Sequence, residues 1–289
     1  MLGTNIWLPV PVFGLFVLLA IGVACLVAVS QVKWLEEQGT LSPSAHRVIP
    51  DLALVSSIAG IIGARMFYIA DHFDEFLLDP AGMIFTRSGF SIYGGLVFGF
   101  LIGIVFLRRN RIRILPMLDG VAPSLMLGYG IGRLGCQIAG DGDWGIPAQV
   151  SLKPEWLPEW LWAQTYEGNI LGVQIPDPGV YPTPLFEFAG AVFLFLVLLA
   201  LRSRRANPGH LFSVYLLFAG FERLLIEKIR INIEHDVFGY LFTQAEVISL
   251  AIIGAGLLGL LLTLQTRRIW VKTLISLGVL SAVSACAPW

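Results

Sequence analysis

Three arginines of this 289-residue chain stand in or beside long apolar runs, where a charge is costly: Arg65, Arg133 and Arg223. A charged side chain inside a membrane usually faces a cavity or a partner and marks a functional site. The planar guanidinium group suits two-point contact with a phosphate or a carboxylate. The three arginines therefore indicate either internal ion pairs between helices or a shared anionic ligand. At the depth of the lipid head groups, the natural anion is a phospholipid phosphate.

Acidic residues and glycines surround these arginines in the sequence. Glu187, Glu222, Glu227 and Glu246 occupy the ends of later apolar runs, and Gly128, Gly130, Gly132 and Gly135 crowd around Arg133. Helix packing explains the four-residue spacing of Gly128 and Gly132, whereas Gly130 and Gly135 favour close approach to a ligand. A second glycine pair, Gly94 and Gly95, follows Tyr93.

The composition is typical of a membrane protein. Hydrophobic residues make up 56% of the chain and charged residues 13%, whereas soluble domains have about 25% charged residues. The net charge of −1 argues against nucleic-acid binding. The three cysteines are far apart, and the four histidines are scattered, so we expect no disulfide framework, no metal site and no cofactor.

Seven apolar runs are long enough to cross about 30 Å of hydrocarbon as helices. They lie near residues 7–30, 52–70, 91–107, 115–131, 184–201, 210–226 and 244–264, and a weaker eighth run lies near 269–286. The predicted fold is an all-α integral membrane protein of about seven transmembrane helices. Its predicted parts are a membrane domain over residues 1–267 and an apolar tail or extra span over residues 268–289.

The basic residues predict the orientation of these spans. With the N-terminus outside, 12 of the 19 basic residues fall in inner loops, as the positive-inside rule requires. Residues 132–183 then form a large outer-face segment between spans four and five. It contains Trp144, Trp156, Trp160 and Trp162, and tryptophan favours the head-group level. We expect this segment to lie along the membrane surface; a solvated loop is the alternative.

The run 132–145, which begins Gly-Arg-Leu-Gly-Cys, resembles the signature of the prolipoprotein diacylglyceryl transferase family. That signature reads Gly-Arg-x-Gly-Asn-Phe-x-Asn-x-Glu-x-x-Gly. Weaker similarities to family motifs follow the same order along the chain, at residues 12–14, 63–65, 91–96, 181–187, 221–230 and 244–246. The resemblance covers about residues 5–265 and agrees with seven spans and an outer N-terminus.

The resemblance implies an enzyme of the bacterial inner membrane. Members move a diacylglyceryl group from phosphatidylglycerol to the lipobox cysteine of a prolipoprotein signal peptide, which forms a thioether and releases glycerol phosphate. The chemistry needs a group that holds the departing phosphate and a group that accepts the thiol proton. Arg133 and Arg223 are the expected phosphate holders, with Arg65 as a third. The residues expected to line the rest of the head-group site are Gly94, Gly95 and Glu187.

Departures from the family pattern leave the proton acceptor open. Tyr93 stands where the family has histidine, Phe13 where it has tyrosine and Cys136 where it has asparagine. One extra residue in the turn lets either Asp141 or Asp143 match the family's glutamate. Asp141, Asp143 and Glu187 are the candidate bases, because a tyrosine with a pKa near 10 is a poor base at neutral pH.

Tyr93 is instead a candidate hydrogen-bond donor to the phosphate, and an interface aromatic is its other interpretation. Cys136 is either a covalent relay or a small packing residue.

These departures also allow a second function, in which a divergent member binds or transports an anionic lipid without transfer. The tail run Val283-Ser284-Ala285-Cys286 looks like a lipobox; chance is the simpler explanation, and a pseudosubstrate the other.

Overall fold

The computed structural model describes residues 12–85, 89–202, 207–231, 234–237 and 240–265. Across these residues the chain is mainly helical, with one antiparallel hairpin. The helices are α1 (Val12–Glu37), α2 (Ile49–Asp71), α3 (Phe73–Leu78), α4 (Pro80–Phe85), α5 (Ile92–Arg109), α6 (Ile114–Ala139), α7 (Thr183–Leu201), α8 (His210–Glu227) and α9 (Gln244–Gln265). The hairpin pairs β1 (Glu234–Val237) with β2 (Tyr240–Thr243).

Among the described residues, six helices are long and apolar enough to cross a membrane. They are Val12–Glu37, Ala45–Asp71, Ile92–Arg109, Ile114–Ala139, Thr183–Leu201 and Gln244–Leu264. Helix α8 coincides with the remaining predicted span, but it carries Glu222, Arg223 and Glu227 within 18 residues. The prediction of a multi-spanning helical membrane protein is confirmed. The eighth apolar run and the run that ends at Cys286 lie outside the described residues.

Three local features differ from the sequence-based expectation. Helix α6 continues to Ala139, so residues 132–139 belong to the helix, and the irregular segment begins at Gly140. The short helices α3 and α4 lie between the second and third predicted spans, where no apolar run predicted a helix. The hairpin was not predicted. Its strands pair Glu234 with Thr243 and Val237 with Tyr240. Aromatic and β-branched residues there favour a strand locally, but strands of four residues are too short to stand out as apolar runs.

The described chain divides into two compact units, one formed by residues Cys25–Gly120 and the other by the residues before and after it. In the Cys25–Gly120 unit, α2 packs closely on α5 through glycines. A Cβ on Gly63 would lie 2.5 Å from the carbonyl oxygen of Gly94 and would overlap Phe98. A Cβ on Gly99 would lie 3.1 Å from the carbonyl oxygen of Ser56. Small residues of this kind let membrane helices approach at backbone distance.

In the other unit, α6, α7 and α8 share an apolar core, which we define by the buried residues Met126, Ala191, Leu198 and Leu211. Helix α9 packs on α8 through glycine: a Cβ on Gly220 would lie 2.9 Å from the carbonyl oxygen of Ser249. This packing holds α6, α7 and α8 in fixed positions around the charged residues that they carry.

Residues 140–182 connect α6 to α7 without a long helix, through two short 3-10 turns at Val150–Leu152 and Glu159–Leu161. Aromatic packing orders this segment, since the rings of Trp144 and Tyr166 are 5.1 Å apart. Backbone hydrogen bonds tie it to the end of α8: the Ile146 N–H donates to the carbonyl of Ile229 over 2.9 Å. The segment therefore holds the residues after α6 beside the residues after α8.

Candidate functional site

Arg133 lies near the C-terminal end of α6, and only 14% of its side chain is exposed. Its Nη1 atom pairs with Oδ2 of Asp143, and its Nε atom is 3.4 Å from Oε2 of Glu187. The guanidinium carbon stands 5.1 Å from the ring centre of Tyr129, one helical turn earlier. Two carboxylates and an aromatic face thus offset the cost of burying this charge.

Asp143 is the first of these carboxylates, and it joins two arginines. Its other oxygen, Oδ1, accepts a hydrogen bond of 2.5 Å from Nη2 of Arg230. The hydroxyl of Thr183, the first residue of α7, donates to the Asp143 backbone carbonyl over 2.5 Å. The carboxylate is therefore fixed by the segment after α6, by the start of α7 and by the residues after α8.

Burial by itself would raise the pKa of Asp143. The positive charges of Arg133 and Arg230, together with the hydrogen bond from Arg230, outweigh that effect and hold the pKa below its ordinary value. Asp143 is therefore ionised throughout the neutral range and acts as a bridge between two cations.

Glu187, on α7, is fully buried. It lies 3.4 Å from Nε of Arg133, 3.8 Å from Nη1 of Arg223 and 3.8 Å from Nη1 of Arg230. It also accepts a hydrogen bond of 2.8 Å from the hydroxyl of Tyr129. Charge-assisted hydrogen bonds are about 2.7–2.9 Å long. The three arginines therefore lie within ion-pair distance of Glu187 but form no short charge-assisted hydrogen bond with it.

Arg223, on α8, completes the group. Its Nη2 atom is 2.7 Å from Oε2 of Glu227, one helical turn later. We call the three arginines and the carboxyls beside them the arginine cluster; its members are Arg133, Arg223, Arg230, Asp143, Glu187, Glu222 and Glu227. Tyr129 connects Glu187 with Glu222 through its hydroxyl.

Several nitrogen atoms of the cluster are buried without a hydrogen-bond acceptor in the described part of the chain. They are Nη1 of Arg223 and both Nε and Nη1 of Arg230. A buried donor that lacks an acceptor costs about 1–3 kcal/mol, and more when it is charged. These donors are suited to an anion with several acceptor oxygens, and a phosphate is such an anion.

The sequence predicted four members of this cluster: Arg133, Arg223, Asp143 and Glu187. Asp141 lies beside it, where its carboxylate accepts a hydrogen bond of 3.3 Å from the Asp143 N–H. The remaining predicted site residues, Arg65, Tyr93, Gly94 and Gly95, belong to the Cys25–Gly120 unit.

Arg65, on α2, donates a hydrogen bond of 2.8 Å from Nη1 to the carbonyl of Gly89. Its guanidinium group also lies 4.3 Å from the ring centre of Phe90. Gly94 and Gly95 face α2, and a Cβ on Gly95 would lie 3.4 Å from the carbonyl of Gly60. Helix packing accounts for the glycines at these two positions; a role in head-group binding stays a prediction.

The sequence predicted that some glycines of α6 serve helix packing and others serve approach to a ligand, and the structure divides them differently. A Cβ on Gly130 would press on Ala191 at 2.9 Å, and one on Gly135 would press on Phe16 at 2.8 Å, so helix packing explains both. A Cβ on Gly132 meets nothing within 4 Å. The glycine next to Arg133 is therefore the one that packing leaves unexplained.

Cys136, Asp141 and Asp143 place one ligand atom each within 4.8 Å of the others. Such a group can hold a metal ion in principle. Both oxygens of Asp143, however, are already paired with guanidinium groups, and the two positive charges disfavour a further cation. Cys136 itself is buried, with its sulfur 3.9 Å from Nη1 of Arg133.

Sequence reasoning did not single out Tyr129. It named Glu222 and Glu227 as acidic neighbours of the arginines, and Glu227 and Arg230 lie in the run that resembles a family motif, but it gave none of these three a role in the site. Tyr129 could have been found from its spacing, because residues four apart lie on the same face of a helix and Arg133 is four residues later. Arg230 follows Glu227 at a three-residue interval, within the run 221–230 that resembles a family motif.

The fold and the site define a class: a multi-spanning helical membrane protein with arginines and carboxylates buried together among three helices. The sequence pattern of the prolipoprotein diacylglyceryl transferases matches residues 3–262. The chain belongs to that family, as its motifs predicted.

Curated relatives agree. A protein of Leptospira interrogans is 28% identical over 206 residues, which cover 63% of this chain and 61% of the relative. A protein of Bacillus cytotoxicus is 32% identical over 181 residues, which cover 62% of this chain and 64% of the relative. A protein of Shouchella clausii is 26% identical over 223 residues, which cover 77% of this chain and 76% of the relative. All three are named phosphatidylglycerol–prolipoprotein diacylglyceryl transferase. The match therefore spans about three fifths of the length of the first two relatives.

Proposed function

We propose that this protein transfers a diacylglyceryl group from phosphatidylglycerol to the lipobox cysteine of a prolipoprotein, forming a thioether and releasing glycerol phosphate. The observation that carries this proposal is the arginine cluster, in which three guanidinium groups surround Glu187 and keep buried donors without acceptors. Family membership and the names of the relatives support the same reaction.

In this reaction a thiolate attacks the glyceryl carbon, and the bond from that carbon to the phosphate oxygen breaks. Negative charge grows on the departing phosphate. Preorganised donors directed at that charge stabilise the transition state, and each such donor group contributes about 3–4 kcal/mol. Arg133, Arg223 and Arg230 fit this role, because the three offer more N–H donors than the carboxylates beside them use.

A phosphate can compete with Glu187 for these arginines. The three distances from the arginines to Glu187 are 3.4–3.8 Å, which is longer than a good charge-assisted hydrogen bond. A phosphate oxygen at normal hydrogen-bond distance would approach the guanidinium groups more closely than Glu187 does.

The remaining site residues stay part of the proposal. Arg65, Gly94 and Gly95 are proposed to contact the head group, and Tyr93 to donate a hydrogen bond to it. Asp141 is a candidate base, since its carboxylate has no salt bridge in the described chain. Asp143 is a weak one, because two arginines already hold both of its oxygens.

We further propose seven spans, with α8 as the sixth, in the bacterial inner membrane and with the N-terminus outside. Helix α8 has 18 residues, about 27 Å at 1.5 Å per residue. The segment 140–182 is proposed to lie on the outer face, where Trp156 and Trp160 expose 81% and 59% of their surface. Exposed tryptophans of this kind favour the head-group layer.

The test is transfer itself. The purified protein in mixed micelles of detergent and phosphatidylglycerol should release glycerol phosphate when a lipobox peptide is added, and the gene should sustain a bacterium depleted of its own transferase. Arg223→Lys should abolish most of both activities, because lysine lacks the planar fork of arginine. Arg109→Lys, at the other end of α5 from Tyr93, is the matched control and should change neither. Folded, inserted protein that releases no glycerol phosphate would contradict the proposal.

A further inference from the structure

The hydroxyl of Tyr129 lies between two carboxyl groups of the arginine cluster. It is 2.8 Å from Oε1 of Glu187 and 3.4 Å from Oε2 of Glu222. A hydroxyl has a single proton to donate but two lone pairs to accept with. Tyr129 can therefore donate to only one of the two carboxylates at a time. When the other carboxyl group is protonated, it can donate to the hydroxyl oxygen, and the two are then linked from α7 through α6 to α8.

Glu222 occupies a position that the helices leave open for it. A Cβ on Gly190 of α7 would lie 3.6 Å from Cγ and 3.8 Å from Oε1 of Glu222. The Oε1 atom is buried, and no hydrogen-bond partner for it lies in the described chain. The carboxyl group is thus held between α7 and α8 with one oxygen on Tyr129 and the other unsatisfied.

Glu222 differs from the other carboxyl groups of the cluster in its partners. Asp143, Glu187 and Glu227 each form a salt bridge with at least one arginine, whereas within the described residues Glu222 forms none. Its charged neighbours are Glu187 on α7, Arg133 on α6 and Arg223 on α8. A proton on Asp143, Glu187 or Glu227 would weaken a salt bridge, whereas a proton on Glu222 would disturb none in the described chain. Glu222 is therefore the carboxyl group of the cluster that is placed to take a proton from Tyr129.

We infer that Glu222 is the proton-accepting group of this site and that it acts through the hydroxyl of Tyr129. The inference rests on the proposed transfer reaction and answers the question left by Tyr93, which stands where the family has histidine. Glu222 is a positioning residue in this scheme, because Tyr129, not Glu222, meets the incoming proton.

The S–H bond of the acceptor cysteine breaks, a C–S bond forms at the glyceryl carbon, and the C–O bond to the phosphate breaks. The Tyr129 hydroxyl turns from Glu187 to Glu222. The thiol proton then passes to the hydroxyl oxygen while the hydroxyl's own proton passes to Glu222. Glycerol phosphate leaves as a dianion, which carries one more negative charge than the bound lipid did. The proton on Glu222 compensates that charge inside the cluster.

The pH dependence of the transfer rate tests the inference. A base must be ionised to act, so the wild-type rate should fall as the pH is lowered through the titration of Glu222. Glu222→Gln should remove this acid limb and slow the reaction by about 10²-fold at the optimum. Tyr129→Phe removes only a hydroxyl and should have the same effect, which keeps the test available if Glu222→Gln folds poorly. Glu155→Gln, an exposed acid of the segment 140–182, is the matched control and should leave rate and profile unchanged.

Calorimetry supplies a second test, which measures binding and does not depend on turnover. Binding of glycerol 1-phosphate to the purified wild-type protein, measured in two buffers of different ionisation enthalpy, should be accompanied by proton uptake that Glu222→Gln removes. Equal uptake by both proteins would overturn the inference, as would a Glu222→Gln variant that is slowed equally at every pH.

The two tests also separate the inference from the proposed function. Transfer that retains its acid limb in Glu222→Gln would leave the function standing and remove the inference. Suppose instead that the wild-type protein transfers nothing, but takes up a proton on binding glycerol 1-phosphate and loses that uptake in Glu222→Gln. This result would remove the proposed function and leave the assignment of the proton to Glu222 standing.

Discussion

The pair α2–α5 and the group α6–α7–α8 join apolar helices in different ways. In the first, glycines bring two backbones together, and a Cβ on Gly63 would lie 2.5 Å from the carbonyl oxygen of Gly94. In the second, charged side chains from three helices meet around Glu187, which is fully buried. At the first interface the backbones of the two helices are in direct contact. The second interface keeps polar atoms that its own residues do not satisfy.

The arginines of the two regions differ in the same way. Arg65 donates to the backbone carbonyl of Gly89 and lies over the ring of Phe90. Arg133 pairs with two carboxylates, and its neighbour Arg230 retains buried donors without acceptors in the described chain. Arginines that look equivalent in the sequence thus have different surroundings: those of the arginine cluster lie within ion-pair distance of one carboxylate, whereas Arg65 contacts a carbonyl and an aromatic ring.

The largest effect on stability is expected for Glu187→Gln. This change leaves three buried guanidinium groups without their central carboxylate, and breaking a buried pair in this way costs about 3–5 kcal/mol. Glu246→Gln is the matched control. Glu246 pairs with Lys228, whose side chain is 71% exposed, and such surface pairs contribute about 0–1 kcal/mol.

Denaturation of both variants in detergent, followed by circular dichroism, measures the difference. Glutamine at position 246 can still cap the Thr243 N–H, which Glu246 accepts at 3.1 Å in the wild type. Equal losses of stability in the two variants would show that the cluster is not held by its buried charges.

Exchange of arginine for lysine is expected to lower the transfer rate more in the group α6–α7–α8 than in the pair α2–α5. Arg133→Lys keeps the charge but loses the planar fork, so the transfer rate should fall by a factor that corresponds to about 2–4 kcal/mol of transition-state stabilisation. Arg65→Lys should cost less than tenfold, because a lysine can still donate to the carbonyl of Gly89. Release of glycerol phosphate at saturating lipid measures both. An Arg65→Lys loss as large as that of Arg133→Lys would place Arg65 among the phosphate holders.

The sequence predicted the helices of this protein better than it predicted the partners in its site. Long apolar runs mark membrane helices because each helix satisfies its own backbone, and the family motif directed attention to Arg133 and Arg223. The pairing of Asp143 with both Arg133 and Arg230 could not be predicted. It depends on the fold of residues 140–182, which brings the end of α6 beside the end of α8.

Glu222 illustrates the same limit. A glutamate beside Arg223 looks in the sequence like one more partner for an arginine. Its actual contact with Tyr129 depends on the rotation of α6 and α8 about their axes, and the space for its carboxyl group depends on Gly190 of a third helix. Local patterns do not contain this information, because it arises only when three helices pack together.

Gly63→Ala tests the packing of α2 on α5. The added methyl group would overlap Phe98 and approach the Gly94 carbonyl, and such overpacking costs about 1–3 kcal/mol. Gly254→Ala in α9 is the matched control. A Cβ there meets nothing within 4 Å, so the change should be neutral or stabilising by about 0.5–1 kcal/mol, because alanine favours a helix over glycine. Thermal melting of both variants gives the comparison, and equal melting temperatures would show that the two helices do not depend on this close approach.

The smallest effect concerns the pH dependence of the bridge at Asp143. Its pKa lies below the ordinary value, because Arg133 and Arg230 outweigh the effect of burial. A carboxyl group with a lowered pKa in the folded state stabilises the protein above its unfolded pKa, near 3.9, and that contribution disappears as the pH falls through the lower folded value. The melting temperature of wild type should therefore exceed that of Asp143→Asn by a constant margin from pH 7 to about 5, and the margin should narrow only below about pH 4.

Asp177→Asn, a change in the same segment away from the arginine cluster, serves as the control and should show no such margin. A margin that already narrows between pH 7 and 5 would mean that Asp143 takes up a proton in that range. In that case the two arginines would not hold it ionised, and the argument that assigns the proton to Glu222 instead of Asp143 would lose its basis.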